Sequence, residues 1–246
     1  MPKFSPDDTV LVTGASSGLG LKTALLLNSL GASVVAVGRD EGRLDAMRSQ
    51  AAFPERVFCE ARDLAADPDG IPEWTASMAK KFGKFSGLAG FAGEIDILPA
   101  SMIDAESMRR IFEVNFFSAV MLARSVASGR VRGRRLSIVM ASSAASLYGE
   151  PALLSYAASK AALNSAVRTL AAEFGRLGVR ANAVLPGNIS KMRSAGTAEI
   201  DGGYAPRLPE PADKAGCVAN LAAFLLSEDS YWITGQCIVI DGGETL

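Results

Sequence analysis

Tyr156 and Lys160 are the residues whose types and spacing first suggest chemistry, because this chain of 246 residues contains no histidine. They stand four positions apart in the stretch SYAASK, inside a helical pattern, so their side chains share one helix face. An ammonium group close to a phenol favours the phenolate and lowers the pKa of a tyrosine. Without histidine, proton transfer falls to Tyr, Lys, Asp or Glu, which makes this pair a candidate acid–base group. The alternative is a packed tyrosine and a solvated lysine, since the spacing also occurs by chance in many helices.

Two serines are candidates for a hydroxyl that binds a substrate oxygen. The run LSIVMASSAAS reads as a strand that leads into small hydroxyl residues. Open α/β sheets bind ligands at the carboxyl ends of their strands, so Ser142 or Ser143 is expected at that edge. An ordinary turn would have the same composition, and that alternative stays open at this point.

A glycine-rich turn, TVLVTGASSGLG at 9–20, follows the first strand-like run and opens a helical pattern. Gly14 would allow the tight turn, Gly18 would let a pyrophosphate approach the backbone, and Gly20 would let the helix pack closely on the sheet. The helix N-terminus would offer its N–H groups to the phosphates. The spacing differs from the usual G-x-G-x-x-G, and a turn without a ligand is the alternative.

The segment GRDEGRL at 38–44, after the second strand, bears on the choice of nucleotide. An acid there binds the ribose 2′-hydroxyl of NAD, whereas an arginine accepts the 2′-phosphate of NADP. Arg39 favours NADP(H), because a positively charged guanidinium attracts the negatively charged 2′-phosphate. Asp40 is the competing signal for NAD(H). Both residues could instead form a solvated helix start, with Asp40 as the N-cap.

Short apolar runs alternate with longer helical patterns along the whole chain. Several runs are apolar throughout, which is typical of parallel strands covered on both faces. The alternation predicts an α/β fold with a doubly wound, seven-stranded parallel sheet in a single domain, 1–246. Region 190–210 is long and irregular, as lids or binding loops often are. The predicted strands are 9–13, 32–37, 56–61, 86–91, 136–141, 179–185 and 237–240, and the predicted helices are 18–30, 41–52, 71–82, 105–128, 155–177 and 212–227.

Composition excludes several classes of function. Hydrophobic residues make up 49% and charged residues 21%, and the formal net charge of −1 speaks against nucleic acid or an anionic membrane as partner. No apolar run approaches the roughly 18 residues of a membrane span, and no apolar signal core precedes the first strand. Cys59, Cys217 and Cys237 are far apart and form no C-x-x-C, and the chain has no histidine, so we expect no metal site and a reducing, cytoplasmic setting.

Together these motifs resemble the short-chain dehydrogenase/reductase family, and the resemblance covers essentially the whole chain in matching order. TGASSGLG at 13–20 matches the family's glycine motif, and SYAASK matches its Y-x-x-x-K. Ser143 stands thirteen residues before Tyr156, as the family's serine does, and ITGQCIVIDGG at 233–243 is similar to its closing strand. Further matches are Asp63 and Leu64 after the third strand, Asn115 in EVNFF, and Pro186, Gly187 and Ile189 in VLPGNI.

The resemblance implies a role for each catalytic residue. Tyr156 is the acid and base, and Lys160 binds the nicotinamide ribose and lowers the pKa of the tyrosine. Ser143 bonds the substrate oxygen, and Asn115 holds a water in a proton relay to Lys160. The predicted cofactor-binding residues are Gly14, Ser16, Ser17, Gly18, Leu19, Gly20, Arg39, Asp63, Leu64, Ala92, Gly93, Tyr156, Lys160, Pro186, Gly187 and Ile189.

Two departures from the family pattern are visible. The family's Asn-Asn-Ala-Gly after the fourth strand reads Gly90-Phe91-Ala92-Gly93, so two asparagines that tie neighbouring strands and loops are absent, and packing by Phe91 is one possible replacement. Where the family often has a threonine four residues past Gly187, this chain has Lys191. Ser190 or the backbone of Ile189 would then meet the cofactor's carboxamide.

The prediction is an NADP(H)-preferring carbonyl reductase or alcohol dehydrogenase. A 3-oxoacyl thioester reductase is the commonest family role at this length, and a reductase of cyclic ketones, sugars or steroids is nearly as good a match. The alternatives are an NAD-dependent dehydrogenase of the same family, a dinucleotide-binding regulator without catalysis, and an epimerase or dehydratase of nucleotide sugars. Relatives of that last kind carry a larger C-terminal substrate portion.

The partners predicted are a small carbonyl or alcohol substrate and further copies of the chain. By resemblance the oligomer is a homotetramer, or else a dimer, formed through helices 105–128 and 155–177 and the C-terminal edge. The predicted substrate mouth is lined by Glu94, Ile95, Ala145, Leu147, Tyr148, Leu153, Asn188 and Met192.

Overall fold

One parallel sheet of seven strands forms the centre of the computed structural model, which describes residues 2–189 and 206–246. The strands are β1 Thr9–Thr13, β2 Ser33–Gly38, β3 Val57–Ala61, β4 Phe85–Gly90, β5 Arg132–Ala141, β6 Val179–Pro186 and β7 Cys237–Ile240. Their order is β3-β2-β1-β4-β5-β6-β7, and every neighbouring pair is parallel. The predicted doubly wound sheet is therefore confirmed, with strand ends that differ from prediction by about one residue except at the longer β5.

The helices connect successive strands and cover both faces of the sheet. The largest difference from prediction is the helix expected at 105–128, which is interrupted by a π-helical turn at Glu113–Phe117. Such a turn inserts an extra residue into the helix and is frequent at functional sites. Here it contains Asn115, which is fully buried. The main helices are α1 Gly18–Ser29, α2 Glu41–Gln50, α3 Ile71–Phe82, α4 Ala105–Phe112, α5 Ser118–Val126, α6 Leu154–Phe174 and α7 Lys214–Leu226.

Two apolar layers hold the helices to the sheet. Alternate residues of a strand point to opposite faces, so Leu11 of β1 packs into one layer while Val10 and Val12 pack into the other. The layer around Leu11 includes residues of α3, α5 and α6, and the opposite layer includes residues of α1, α2 and α7. Burial on both faces explains why the strands read as continuous apolar runs.

The strand order reverses at β1, which pairs with β2 on one side and β4 on the other. Open α/β sheets form a crevice at such a point, beyond the carboxyl ends of the strands. Thr13 ends β1 in register with Gly90 of β4, so the turn at Gly14 lies beside the segment 91–93. Within the described residues, no helix is both long and apolar enough to cross a membrane.

Candidate active site

The glycine turn after β1 is closely packed on one side and open on the other. Gly14 has φ +67°, and a Cβ there would lie 2.8 Å from the carbonyl oxygen of Phe91. A Cβ on Gly20 would lie 2.3 Å from the carbonyl oxygen of Gly14, so the first turn of α1 packs directly on the loop. Gly18 has φ +55°, and no described heavy atom lies within 4 Å of the place a Cβ would take. The turn is therefore closed towards the protein and open on the side where phosphates would approach.

Thr13 ties the end of β1 to the segment that follows β4. Its hydroxyl oxygen accepts hydrogen bonds from the backbone N–H groups of Phe91 and Ala92, both at 3.1 Å. Phe91 also packs against the apolar layer of α1 and α7. Both the packing of Phe91 and the hydroxyl of Thr13 therefore hold this segment, and the replacement of the asparagine bonds by packing stays a prediction.

Two adjoining cavities lie along the carboxyl edge of the sheet. The first is a groove of about 320 Å³ running from the glycine turn to the ends of β2 and β3, and the second is a pocket of about 270 Å³ beyond the ends of β4, β5 and β6. Leu19, Phe91, Gly93 and Glu94 line both, so the cavities are continuous. The groove is lined by the predicted cofactor residues Gly14, Ser16, Ser17, Gly18, Leu19, Gly20, Arg39, Asp63, Leu64, Ala92 and Gly93. The pocket is lined by the predicted residues Ser143, Tyr156, Lys160, Pro186, Gly187 and Ile189.

Lys160 is buried in α6 with its ammonium group beneath the pocket. Nζ donates a hydrogen bond of 2.9 Å to the carbonyl oxygen of Ala141 at the end of β5. The same nitrogen lies 5.8 Å from the centre of the Tyr156 ring, one helical turn earlier. Burial disfavours the ammonium form and lowers the pKa of Lys160 from its ordinary 10.5 to about 8. At neutral pH the site therefore holds a desolvated positive charge next to a phenol.

Asn115 connects α6 to the loop after β4. Its side chain accepts a bond from the N–H of Glu94 and donates one to the carbonyl oxygen of the same residue, each at 2.8 Å. It also donates a bond of 3.1 Å to the hydroxyl of Ser159. These bonds give the side chain a positioning role, and its participation in a water relay stays a prediction.

Ser159 is a site residue that the motif analysis missed. Its hydroxyl donates a bond of 2.7 Å to the carbonyl oxygen of Tyr156 and accepts the bond from Asn115. The side chain is fully buried. The available signal was its spacing, because a residue three positions after Tyr156 lies on the same helix face.

The two candidate serines have different surroundings. Ser142 is buried, and its hydroxyl donates a bond of 3.1 Å to the carbonyl oxygen of Lys160, which anchors α6 to the end of β5. Ser143 is half-buried, lines the pocket and begins the short helix Ala144–Ser146, where its Oγ accepts a bond of 3.2 Å from the N–H of Ala145. The serine hydroxyl bonded to the α6 backbone is thus Ser142, and Ser143 remains the candidate for the substrate oxygen.

The segment after β6 forms the far wall of the pocket. The N–H of Asn188 donates a bond of 2.9 Å to the carboxylate of Glu244, a buried residue near the C-terminus. The carbonyl oxygen of Asn188 accepts a bond of 3.1 Å from Lys214 of α7. No motif pointed to Glu244, because its contact depends on β7 lying beside β6. The predicted residues Ser190, Lys191 and Met192 lie outside the described residues.

The charged residues at the mouth of the groove form a cluster. Arg39 Nη1 lies 2.8 Å from one carboxylate oxygen of Glu94, and Arg110 Nη1 lies 2.6 Å from the other. Asp40, the competing signal for NAD(H), is the N-cap of α2, and its carboxylate accepts a bond of 3.0 Å from the N–H of Arg43. Its structural role therefore agrees with the helix-start interpretation.

Comparisons with known proteins agree with this geometry. Residues 14–245 match the family model described as enoyl-(acyl carrier protein) reductase. The chain is 32% identical to 3-oxoacyl-[acyl-carrier-protein] reductase FabG of Thermotoga maritima over 95% of this chain and 96% of that protein. It is 33% identical to glucose 1-dehydrogenase of Gluconobacter oxydans, over 96% of this chain and 91% of that protein.

Solved structures give the same result. A short-chain type dehydrogenase/reductase from Mycobacterium ulcerans superposes with a TM-score of 0.86 at 31% identity, over 98% of this chain and 90% of that one. A short-chain dehydrogenase from Burkholderia cenocepacia, solved in complex with NADP, has a TM-score of 0.87 at 27% identity, with 98% of both chains covered. The chain therefore belongs to the short-chain dehydrogenase/reductase family of oxidoreductases.

Proposed function

We propose that this protein transfers a hydride between NADP(H) and a carbonyl or secondary alcohol, with Tyr156 as the acid and base. The observation that carries the proposal is the position of Lys160. Its buried ammonium group is fixed to the end of β5 and lies 5.8 Å from the Tyr156 ring, and both residues line the pocket that adjoins the groove. A desolvated positive charge beside a phenol favours the phenolate, which is the form that a base requires.

The pocket residues can assist the reduction of a carbonyl group. A bound nicotinamide dinucleotide would supply the hydride, and negative charge would then grow on the substrate oxygen. Ser143 and Tyr156 both line the pocket and carry hydroxyl groups that can donate hydrogen bonds to that oxygen. Tyr156 would deliver the proton, and the charge of Lys160 would stabilise the phenolate left behind. In alcohol oxidation the same groups would act in reverse.

The groove fits a dinucleotide through its backbone. Gly14 and Gly20 allow the turn to pack closely, Gly18 leaves its outer side open, and the N–H groups at the start of α1 would bind a pyrophosphate there. Arg39 supports NADP(H) over NAD(H), since its guanidinium lines the groove at the end of β2. The NADP complex of the Burkholderia cenocepacia relative points the same way. NAD(H) is the alternative, and Asp63 of the groove would remain a contact for adenine with either cofactor.

The substrate proposed is a ketone, either free or linked to a thioester. Small residues such as Ala144 and Ala145 leave the pocket room beside Ser143, while Ile95, Ile97 and Leu153 make part of the lining apolar. The relatives named above include a 3-oxoacyl-[acyl-carrier-protein] reductase and a glucose dehydrogenase. A panel of 3-oxoacyl thioesters, cyclic ketones and sugars would identify the class. Tight NADPH binding without turnover of any of these compounds would instead support the alternative of a dinucleotide-binding regulator without catalysis.

We also propose a cytoplasmic homo-oligomer, a tetramer or a dimer. Large apolar side chains are exposed next to α5 and at the C-terminal edge, namely Phe117, Trp232 and Leu246. Exposed apolar groups of this size are typical of interfaces between subunits. Analytical ultracentrifugation would give the assembly state, and a monomer at micromolar concentration would contradict this part of the proposal.

The acid–base role is tested by Tyr156→Phe. This variant should bind NADPH like the wild type, because only a hydroxyl is removed, and should lose about 100-fold to 10,000-fold in kcat. Tyr148→Phe is the matched control, since Tyr148 lines the same pocket and its hydroxyl has no proton-transfer role in the proposal. Normal turnover by Tyr156→Phe would overturn the mechanism.

The cofactor preference is tested by Arg39→Ala. The variant should lose kcat/KM with NADPH and change little with NADH, because only NADPH carries the 2′-phosphate. Equal losses with both cofactors would contradict the role of Arg39.

A further inference from the structure

The ion-pair cluster Arg39–Glu94–Arg110 spans the mouth of the cofactor groove. Arg39 follows β2, Glu94 lies four residues beyond the end of β4, and these two strands flank β1 from opposite sides. Arg39 and Glu94 both line the groove. The pair between them therefore connects its two walls, at the end where a 2′-phosphate would be bound.

The three side chains differ in how firmly they are held. The backbone of Glu94 is fixed on both sides by Asn115, which bonds its N–H and its carbonyl oxygen at 2.8 Å each. The side chain of Glu94 is 23% exposed, whereas those of Arg39 and Arg110 are 64% and 59% exposed. The carboxylate is thus the fixed member, and the arginines are long side chains that can turn away from it at modest cost.

Arg110 shares the carboxylate with Arg39. It approaches Oε2 while Arg39 approaches Oε1, so the cluster carries two positive charges and one negative charge. If Arg39 turns towards an anion in the groove, Glu94 keeps one cationic partner. Without Arg110, the same movement would leave a carboxylate only 23% exposed without a counter-ion, which is costly.

We propose that Glu94 is a cofactor-selectivity residue, whose carboxylate competes with the 2′-phosphate of the cofactor for Arg39. This inference rests on the proposed role of Arg39 in binding that phosphate. The phosphate carries about −1.5 to −2 charges near neutral pH, so it attracts Arg39 more strongly than Glu94 does and is repelled by Glu94. Arg110 determines the strength of the competition, because it neutralises the carboxylate and lets Arg39 leave. A cofactor without the 2′-phosphate leaves the Arg39–Glu94 pair intact.

The test compares adenosine 2′,5′-bisphosphate with 5′-AMP, which differ only in the 2′-phosphate, by isothermal titration calorimetry on the whole protein. Glu94→Gln should tighten binding of the bisphosphate about 3-fold to 10-fold and change 5′-AMP binding by less than about 2-fold, as removal of one nearby charge predicts. Arg110→Gln should have the opposite effect and weaken binding of the bisphosphate without changing binding of 5′-AMP. Arg39→Ala should weaken the bisphosphate strongly, and in that background Glu94→Gln should tighten the bisphosphate less than it does in the wild type, because Arg39 is no longer there to compete for.

Glu60→Gln is the matched control. Glu60 on β3 pairs with Lys81 at 2.8 Å, and its side chain is 21% exposed, close to the value for Glu94. It is not among the residues that line the groove. This variant should leave the binding of both ligands unchanged. An effect seen only in Glu94→Gln would then come from the Glu94 ion pairs and not from the loss of any partly buried ion pair.

The outcomes distinguish the inference from the proposed function. Weaker bisphosphate binding by Glu94→Gln would overturn the inference, because Glu94 would then orient Arg39 for the phosphate. Equal changes for both ligands in Glu94→Gln would also overturn it, since the effect would come from the loop that Asn115 holds. If Arg39→Ala affects both ligands equally, the proposed role of Arg39 fails, whatever the sign for Glu94→Gln.

Discussion

Lys160 should make the stability of the cofactor-free protein depend on pH in a predictable way. Burial lowers its folded-state pKa to about 8, while an unfolded chain would have the ordinary value of 10.5. The unfolded chain therefore binds the extra proton between these values, and stability rises as pH increases through this window. This difference in pKa means that the buried ammonium group lowers the free energy of unfolding by about 3 kcal/mol at pH 7 and by about 1 kcal/mol at pH 10.

Lys160→Met removes this cost together with the hydrogen bond to Ala141. The absolute change in stability combines both effects, so the informative quantity is how the difference between the two proteins varies with pH. Relative to Lys160→Met, the wild type should gain about 2–3 kcal/mol between pH 7 and pH 10. Urea unfolding of the cofactor-free proteins at several pH values in this range measures the gain.

Lys80→Met is the control for Lys160→Met, because Lys80 is an exposed lysine on α3 whose ammonium group is in water in both states. Its difference from the wild type should be the same at every pH. A difference between wild type and Lys160→Met that varies by less than about 0.5 kcal/mol over this range would refute the reasoning, because the buried ammonium would then carry no desolvation cost.

Two further predictions concern the cofactor loop. Thr13→Val should lower the free energy of unfolding by about 2–4 kcal/mol in chemical denaturation, because it leaves two backbone N–H groups without the hydroxyl that both use; Thr13→Ser keeps the oxygen and should lose much less. Gly20→Ala should abolish NADPH binding, measured by fluorescence titration, since its Cβ would lie 2.3 Å from the carbonyl oxygen of Gly14. Gly175→Ala, where no described atom lies within 4 Å, should bind normally, and equal binding by both variants would contradict the packing argument.

The fold was largely readable from the sequence because its signals are local. Strands and helices each have a characteristic spacing of apolar residues. This spacing can be recognised within a short stretch of the chain, without knowledge of distant contacts. The strand positions agreed with the structure to about one residue at most ends. The π-helical turn at 113–117 was not predictable in this way. It divides one helical pattern, and it brings Asn115 to the backbone of Glu94 through a contact made in space.

The sequence by itself determined the catalytic candidates and the glycine turn, since Tyr156, Lys160 and Gly14 lie in short motifs whose spacing carries the chemistry. Tertiary structure alone decided their surroundings. Thr13 binds the segment after β4 because β4 lies beside β1, and Glu244 reaches Asn188 because β7 lies beside β6. Arg39 faces Glu94 rather than Asp40, although Asp40 is its neighbour in sequence. The physical reason is that a side chain's charge and hydrogen-bonding partners are set by distance in space, and the sheet brings together residues that are 55 positions apart in the chain.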